Sequence, residues 1–176
     1  MAKRIEIIMG GSGGQGVVLA GQILGKAVAY EGRKVLQTQS YGAEARGSLA
    51  RSEVIISENP IGFPAVRKCD ILVAMNQESL NANLHYLKDD GLLIVDSTNV
   101  QEIPETKAKI YKVPITETCK KMFGEAIYAN MMMLGVLTKL TKLVSDETMK
   151  KVIEEVVPAK TLSANLKAFE KGQELI

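Results

Sequence analysis

Ile5-Glu6-Ile7-Ile8-Met9 runs directly into Gly10-Gly11-Ser12-Gly13-Gly14-Gln15-Gly16, and an apolar stretch at helical spacing, Val17 to Tyr30, follows without a gap. Gly11, Gly13 and Gly16 fit G-x-G-x-x-G between a strand and a helix, the context in which that pattern carries meaning. Glycine tolerates positive φ and lets a backbone pass close to a ligand. The first N–H groups of the helix lack intrahelical partners and, with the helix dipole, favour an anion such as a phosphate. Gly11, Ser12, Gly13, Gly14, Gln15 and Gly16 are therefore candidate cofactor-binding residues. The same glycines would also serve to pack a helix tightly on a parallel sheet, and the sequence leaves both readings open.

A nicotinamide-binding unit carries an acid at the end of its second strand, about 20 residues beyond the glycines. Here that strand, Lys34-Val35-Leu36-Gln37-Thr38-Gln39, ends without one; Glu31 precedes it and Glu44 follows well after it. No Lys-Ser/Thr pair follows the glycines, so the turn is not a Walker P-loop. The turn is Rossmann-like, but it argues against NAD.

The 176 residues suffice for one domain with a buried core, so 1–176 is read as a single domain. Hydrophobic residues make up 46% and charged residues 24%, the profile of an ordinary globule. A net charge of +2 without a basic tract argues against a nucleic-acid binder. No apolar run reaches membrane-spanning length and no signal-peptide core opens the chain, so a cytoplasmic protein without a membrane partner is expected. Cys69 and Cys119 are the only cysteines, too few for a four-cysteine iron–sulfur cluster. Cys69 reads as a small buried residue before a strand. The single histidine, His85, has no Cys or His neighbour in sequence, so neither a metal site nor a catalytic residue is assigned to this chain.

Strand-like runs fall at Ile5–Met9, Val35–Thr38, Glu53–Ser57, Ile71–Ala74, Leu92–Asp96 and Lys109–Val113. Helical patterns fall at Val17–Tyr30, Glu78–Leu87 and Ile115–Phe123, with Asp89-Asp90-Gly91 as a helix-to-strand turn. This alternation predicts an α/β, Rossmann-like architecture: a mostly parallel sheet, helices on both faces and a helical C-terminal third. Glu53–Ser57 follows a loop, which suggests an edge or antiparallel strand. The helical third comprises Ala126–Leu143, Glu147–Val157 after an N-cap at Ser145, and Thr161–Lys171 ended by Gly172. Met131-Met132-Met133 is read as core or subunit interface. Lys150, Lys151, Glu154 and Glu155 are read as a solvated face with i,i+4 pairs.

Ser40 to Glu53 reads Ser-Tyr-Gly-Ala-Glu-Ala-Arg-Gly-Ser-Leu-Ala-Arg-Ser-Glu, a loop after the second strand at the carboxyl edge, where ligands of open α/β sheets bind. Arginine forks suit phosphates and carboxylates, and glycines permit close approach. Contact with a ligand or partner through this loop is expected. The plainer alternative is a salt-bridged loop in which Glu44 or Glu53 neutralises Arg46 or Arg51.

Gly-Gly-Gln-Gly at 13–16, Ser-Tyr-Gly-x-Glu-x-Arg-Gly-Ser at 40–48 and Arg-Ser-Glu-Val-x-Ile-Ser at 51–57 closely resemble the gamma subunit of 2-oxoacid:ferredoxin oxidoreductases. The resemblance continues through Asn59-Pro60-Ile61-Gly62-x-Pro64, Met75-Asn76-Gln77, Gly91 to Ser97, Val113-Pro114 and Ala129 to Gly135. It spans nearly the whole chain and is strongest for the 2-oxoglutarate type.

The resemblance implies a complex that decarboxylates a 2-oxoacid on thiamine diphosphate, sends electrons through iron–sulfur clusters to ferredoxin and transfers the acyl group to coenzyme A. It implies alpha, beta and possible ferredoxin-like delta subunits as partners. This chain has no ferredoxin-like cysteine run and no Gly-Asp-Gly segment with a trailing Asn for a magnesium diphosphate, which assigns thiamine diphosphate, Mg and the clusters to partner chains. The chain alone would then hold no cofactor and be inactive. Coenzyme A carries phosphates that suit a glycine turn and arginine forks. The turn, together with Tyr41, Arg46, Gly47 and Ser48, is therefore expected to form the coenzyme A side of the cleft at a subunit interface, with Asn130 as a weaker addition. A stand-alone Rossmann-type nucleotide enzyme and a pure assembly module are the alternatives.

Overall fold

The computed structural model describes residues 3–43 and 48–176. The first strand, β1 (Arg4–Ser12), leads through the glycines into helix α1 (Val17–Tyr30). Strands β2 (Lys34–Tyr41) and β3 (Leu49–Ser57) form a hairpin, followed by β4 (Cys69–Ala74), β5 (Leu87–Asp96) and β6 (Lys109–Val113). These strands make one sheet in the order β2-β3-β1-β4-β5-β6. The β1/β4, β4/β5 and β5/β6 pairs are parallel, whereas β3 lies antiparallel to both β1 and β2. The Rossmann-like, mostly parallel sheet is thus present. The expected antiparallel strand is β3, but it lies inside the sheet and β2 takes the edge.

Side chains alternate across a strand, and both faces are apolar. Ile7, Met9, Val54, Ile56, Val73 and Ile94 pack toward α1 and the C-terminal helices. Ile8, Ile55, Leu72, Leu93 and Val95 face the other way, toward Leu80 of α2 (Gln77–Asn83) and toward Val66, Val100 and Ala108 of connecting segments. That two-sided burial explains why β4 reads as a continuous apolar run. The first face also receives α3 (Ile115–Phe123), α4 (Ala129–Thr141), α5 (Asp146–Val156) and α6 (Leu162–Glu174).

Several local expectations need correction. The predicted helix over 78–87 is α2 followed by a short 3₁₀ turn, Leu84–Tyr86, and Asp89-Asp90-Gly91 lies within β5. Ser145 caps α5 as expected, accepting the Thr148 N–H at 3.2 Å. The α5 charges pair between helices: Lys150 with Glu170 of α6 at 2.9 Å, and Glu155 with Lys26 of α1 at 3.0 Å. Met131, Met132 and Met133 are fully buried.

Gly172 does not end a helix; α6 continues past it to Glu174. Its reason is a close approach. A Cβ on Gly135 would lie 3.1 Å from the Gly172 Cα, and a Cβ on Gly172 the same distance from the Gly135 Cα. The two helices therefore cross backbone against backbone.

Candidate functional site

The strand runs further into the glycines than its apolar residues suggest. β3 pairs Gly10 with Arg51, Gly11 with Ala50 and Ser12 with Leu49, and this pairing draws those residues into β1. What remains as the turn is Gly13 to Gly16. Gly11 is buried, and a Cβ there would lie 2.8 Å from Gln15 Oε1 and 3.0 Å from Val17 Cγ1. Gly14 and Gly16 adopt φ values of 95° and 73°, the left-handed region that glycine enters without penalty.

Gly16 is the N-cap of α1 and offers no side chain to its N–H groups. The first helical bond runs from the Ala20 N–H to the Gly16 carbonyl at 3.0 Å, so the N–H groups of Val17, Val18 and Leu19 have no intrahelical partner. No acidic residue sits in the first turn of α1. The positive end of the helix dipole is therefore not neutralised by its own first turn. Gly13 and Gly14 are exposed, and a Cβ at Gly14 would meet nothing within 4 Å among the described residues. Of the turn's own donors, the Gly13 N–H is bonded to the Ser48 carbonyl and the Gln15 N–H to the Ser12 carbonyl, so the N–H groups that an anion here could take are chiefly those at the start of α1.

The hairpin loop reaches the same place. The Gly13 N–H donates to the Ser48 carbonyl at 2.8 Å, and the Gly42 N–H to the Leu49 carbonyl at 2.7 Å. Ser48 is half-buried beside the turn. Tyr41, at the end of β2, is 61% exposed. Glu44, Arg46 and Gly47 lie outside the described residues. Much of the expected loop over 40–53 is strand, because Ser40 and Tyr41 pair with Arg51 and Ala50.

Three candidate residues, Ser12, Gln15 and Asn130, have side chains engaged within the protein, Ser12 Oγ donating to Gln15 Oε1 at 3.1 Å. Gln15 Oε1 accepts from the Ser12 N–H at 2.7 Å, and Gln15 Nε2 donates to the Met75 carbonyl at 3.2 Å. Asn130 is buried at the start of α4; its Nδ2 donates to the Gly16 carbonyl at 3.3 Å and its Oδ1 accepts the Met131 N–H at 2.9 Å.

Arg51 belongs to the fold. It points to the α2 face, pairs with Glu53, donates to Asn83 Oδ1 at 3.1 Å and lies 4.2 Å from the centre of the Tyr86 ring. The second Glu53 oxygen accepts the Val66 N–H at 3.1 Å. The plainer reading of the motif thus holds for the Arg51–Glu53 pair. His85 stacks against Tyr86 with ring centres 4.0 Å apart. Burial pushes the Cys69 thiol up to about 12 and also raises Cys119. Among the described residues no group of His, Cys, Asp and Glu is arranged to hold a metal, and no helix is long and apolar enough to cross a membrane.

The family model for pyruvate ferredoxin/flavodoxin oxidoreductase matches residues 6–175. The chain belongs to this family. Among oxidoreductases of the family, it is 45% identical to the 2-oxoglutarate synthase subunit KorC of Methanocaldococcus jannaschii, over 98% of this chain and 94% of that one. Its fold matches the crystal structure of the keto/oxoacid ferredoxin oxidoreductase gamma subunit from Geobacter sulfurreducens, with a TM-score of 0.86, 39% identity and coverage of 97% and 96%. It also matches the 2-oxoglutarate:ferredoxin oxidoreductase from Magnetococcus marinus with 2-oxoglutarate, coenzyme A and succinyl-CoA bound. There the TM-score is 0.88 at 26% identity, covering 98% of this chain and 31% of that longer one.

Sequence reading gave no role to Asn76, Asp96, Asn99 or Thr116, which cluster at the carboxyl ends of β4 and β5 in this oxidoreductase-family fold. Asp96 is fully buried and accepts from the Thr98 N–H at 3.1 Å and Asn99 Nδ2 at 3.2 Å. Their signal was present: polar residues directly following apolar strands, at Met75-Asn76 and Asp96-Ser97-Thr98-Asn99.

Proposed function

We propose that this chain is the gamma subunit of a 2-oxoglutarate:ferredoxin oxidoreductase, a complex that oxidatively decarboxylates the 2-oxoacid to its acyl-CoA. Family membership and near full-length similarity to a 2-oxoglutarate synthase subunit support this reading. Within the complex the chain contributes the coenzyme A side of the cleft. The observation that carries this part is the exposed Gly13–Gly14 turn, which stands at the uncapped start of α1 and is joined to the hairpin loop at Ser48. A coenzyme A phosphate would accept chiefly from the uncapped N–H groups of α1, because the Gly13 and Gln15 N–H groups are bonded to Ser48 and Ser12, with Arg46 as its counter-charge and Tyr41, Gly47 and Ser48 lining the loop side.

Thiamine diphosphate, Mg and the iron–sulfur clusters belong to alpha, beta and ferredoxin-like partners, with ferredoxin as the acceptor. The complex works in the cytoplasm, and residues 1–176 act as one gamma-type unit. The test is kinetic. In the assembled complex, Gly13→Val and Arg46→Ala should each raise the KM for coenzyme A, and the isolated chain should turn over nothing. An unchanged KM in both variants would leave the chain an assembly module with an empty turn.

A further inference from the structure

In an open α/β sheet the ligand crevice lies where connections leave adjacent strands on opposite faces. Here that point lies between β1, whose helix α1 packs on one face, and β4, whose helix α2 packs on the other. The Gln15 side chain bridges this gap. Its Oε1 accepts from the Ser12 N–H at 2.7 Å, Ser12 Oγ at 3.1 Å and Asn76 Nδ2 at 3.1 Å. Its Nε2 donates to the Met75 carbonyl at 3.2 Å.

Both amide orientations follow from the neighbours. Asn76 Oδ1 is taken by the Ser79 N–H at 2.8 Å, so Nδ2 faces Gln15 and Gln15 must present its oxygen. The Met75 carbonyl receives a second donor, Asn99 Nδ2, at 3.4 Å. Asn99 Nδ2 also lies 3.2 Å from Asp96 Oδ2 and 3.1 Å from Thr116 Oγ1 in the first turn of α3. A continuous polar chain thus runs from α3 behind the ends of β5 and β4 to the glycine turn.

We propose that Gln15, Asn76 and Asn99 are positioning residues for coenzyme A. They hold the turn, through Ser12 and the Met75 carbonyl, in the shape that leaves the first N–H groups of α1 open to a phosphate. Gln15 then acts from behind the turn and does not touch the ligand. The physical reason is entropy. A turn with two positive-φ glycines samples many shapes when free, and side-chain ties that remove those shapes before binding raise affinity without adding a contact. This proposal rests on the reading of the turn as a phosphate site, so its test must separate the two.

Coenzyme A is titrated in steady-state assays of the assembled complex carrying Gln15→Met, Gln15→Glu, Asn99→Ala or Gly13→Val. Gln15→Met removes every tie, whereas Gln15→Glu keeps an acceptor but turns an oxygen toward the Met75 carbonyl. Both should raise the KM by about tenfold and more than they lower kcat, and Asn99→Ala should act in the same direction but less. Amide hydrogen exchange over residues 12–17 should quicken in all three. A merely structural role would lower the melting temperature and leave the KM and the local exchange unchanged, which overturns the proposal. If Gly13→Val raises the KM while Gln15→Met and Gln15→Glu do not, positioning is wrong and the phosphate site stands. If no variant raises it, the phosphate site is wrong and the proposal falls with it. Should Gln15→Met fail to assemble, Gln15→Glu and Asn99→Ala decide by the same readouts.

Discussion

Asn130 on α4 donates from Nδ2 to the carbonyl of Gly16, and the same amide fills the space a Cβ on Gly16 would need, with Asn130 Cγ 2.8 Å from that point. A residue in the first turn of one helix therefore props the residue that caps another. Gly16→Ala meets two obstacles, a φ of 73° and this collision. The expected cost is about 1–3 kcal/mol of stability, read by urea unfolding, with a higher KM for coenzyme A in the complex.

Arg51 offers a contrast with Arg46 in the same motif. Its two terminal nitrogens are taken by Asn83 and Glu53, and the group lies over the face of Tyr86. Arg51→Met leaves the Glu53 carboxylate half-buried without its cation, and a loss of about 1–3 kcal/mol is expected. The KM for coenzyme A should stay unchanged. A raised KM with unaltered melting would instead place Arg51 at the ligand.

The buried cysteines predict a pH dependence. Burial holds Cys69 protonated up to about 12, while an unfolded thiol titrates near about 8.5. Between these values the folded chain binds the extra proton, so stability is intact below about pH 8.5 and falls as pH rises toward 12. Cys119 shifts in the same direction. The Cys69 part of the slope should be no steeper than about 1.4 kcal/mol per pH unit, and Cys69→Ala should flatten the fall measured by urea unfolding between pH 8 and 10. Alkylation of both thiols should be negligible in the native chain and complete in denaturant.

Gly135→Ala tests the helix crossing. The new methyl would press on the Phe169 backbone and the Gly172 Cα, atoms that cannot rotate aside. A loss at the upper end of the usual overpacking range of about 1–3 kcal/mol is expected, seen as a lower melting temperature. Unchanged melting would mean that α4 and α6 do not meet as described.

Features encoded by near neighbours were legible in the sequence. The β1–glycine–α1 order, the Ser145 cap and the apolar centres of β4 and β5 depend on local periodicity and turn chemistry and are present, although β1 runs on to Ser12 and β5 begins at Leu87. Features that need a distant partner were not. Leu49 to Ser52 become strand because Met9 to Ser12 lie beside them. Gly172 resembles a stop signal until Gly135 is known to touch it. The α5 charges look self-paired until α1 and α6 supply partners. At the site, Gln15 was found through its motif, but its attachment to Met75 and the Asn99–Asp96 cluster depends on the order of the strands.

The crossing of α4 and α6 links remote parts of the chain. Asn130 lies in the first turn of α4, Gly135 seats that helix on Gly172, and so α6 buttresses the turn between β1 and α1. Tags, fusions or truncations that disturb 162–174 would reach the glycine turn through this brace, and a loss of coenzyme A affinity in such proteins would report on scaffolding at the far end.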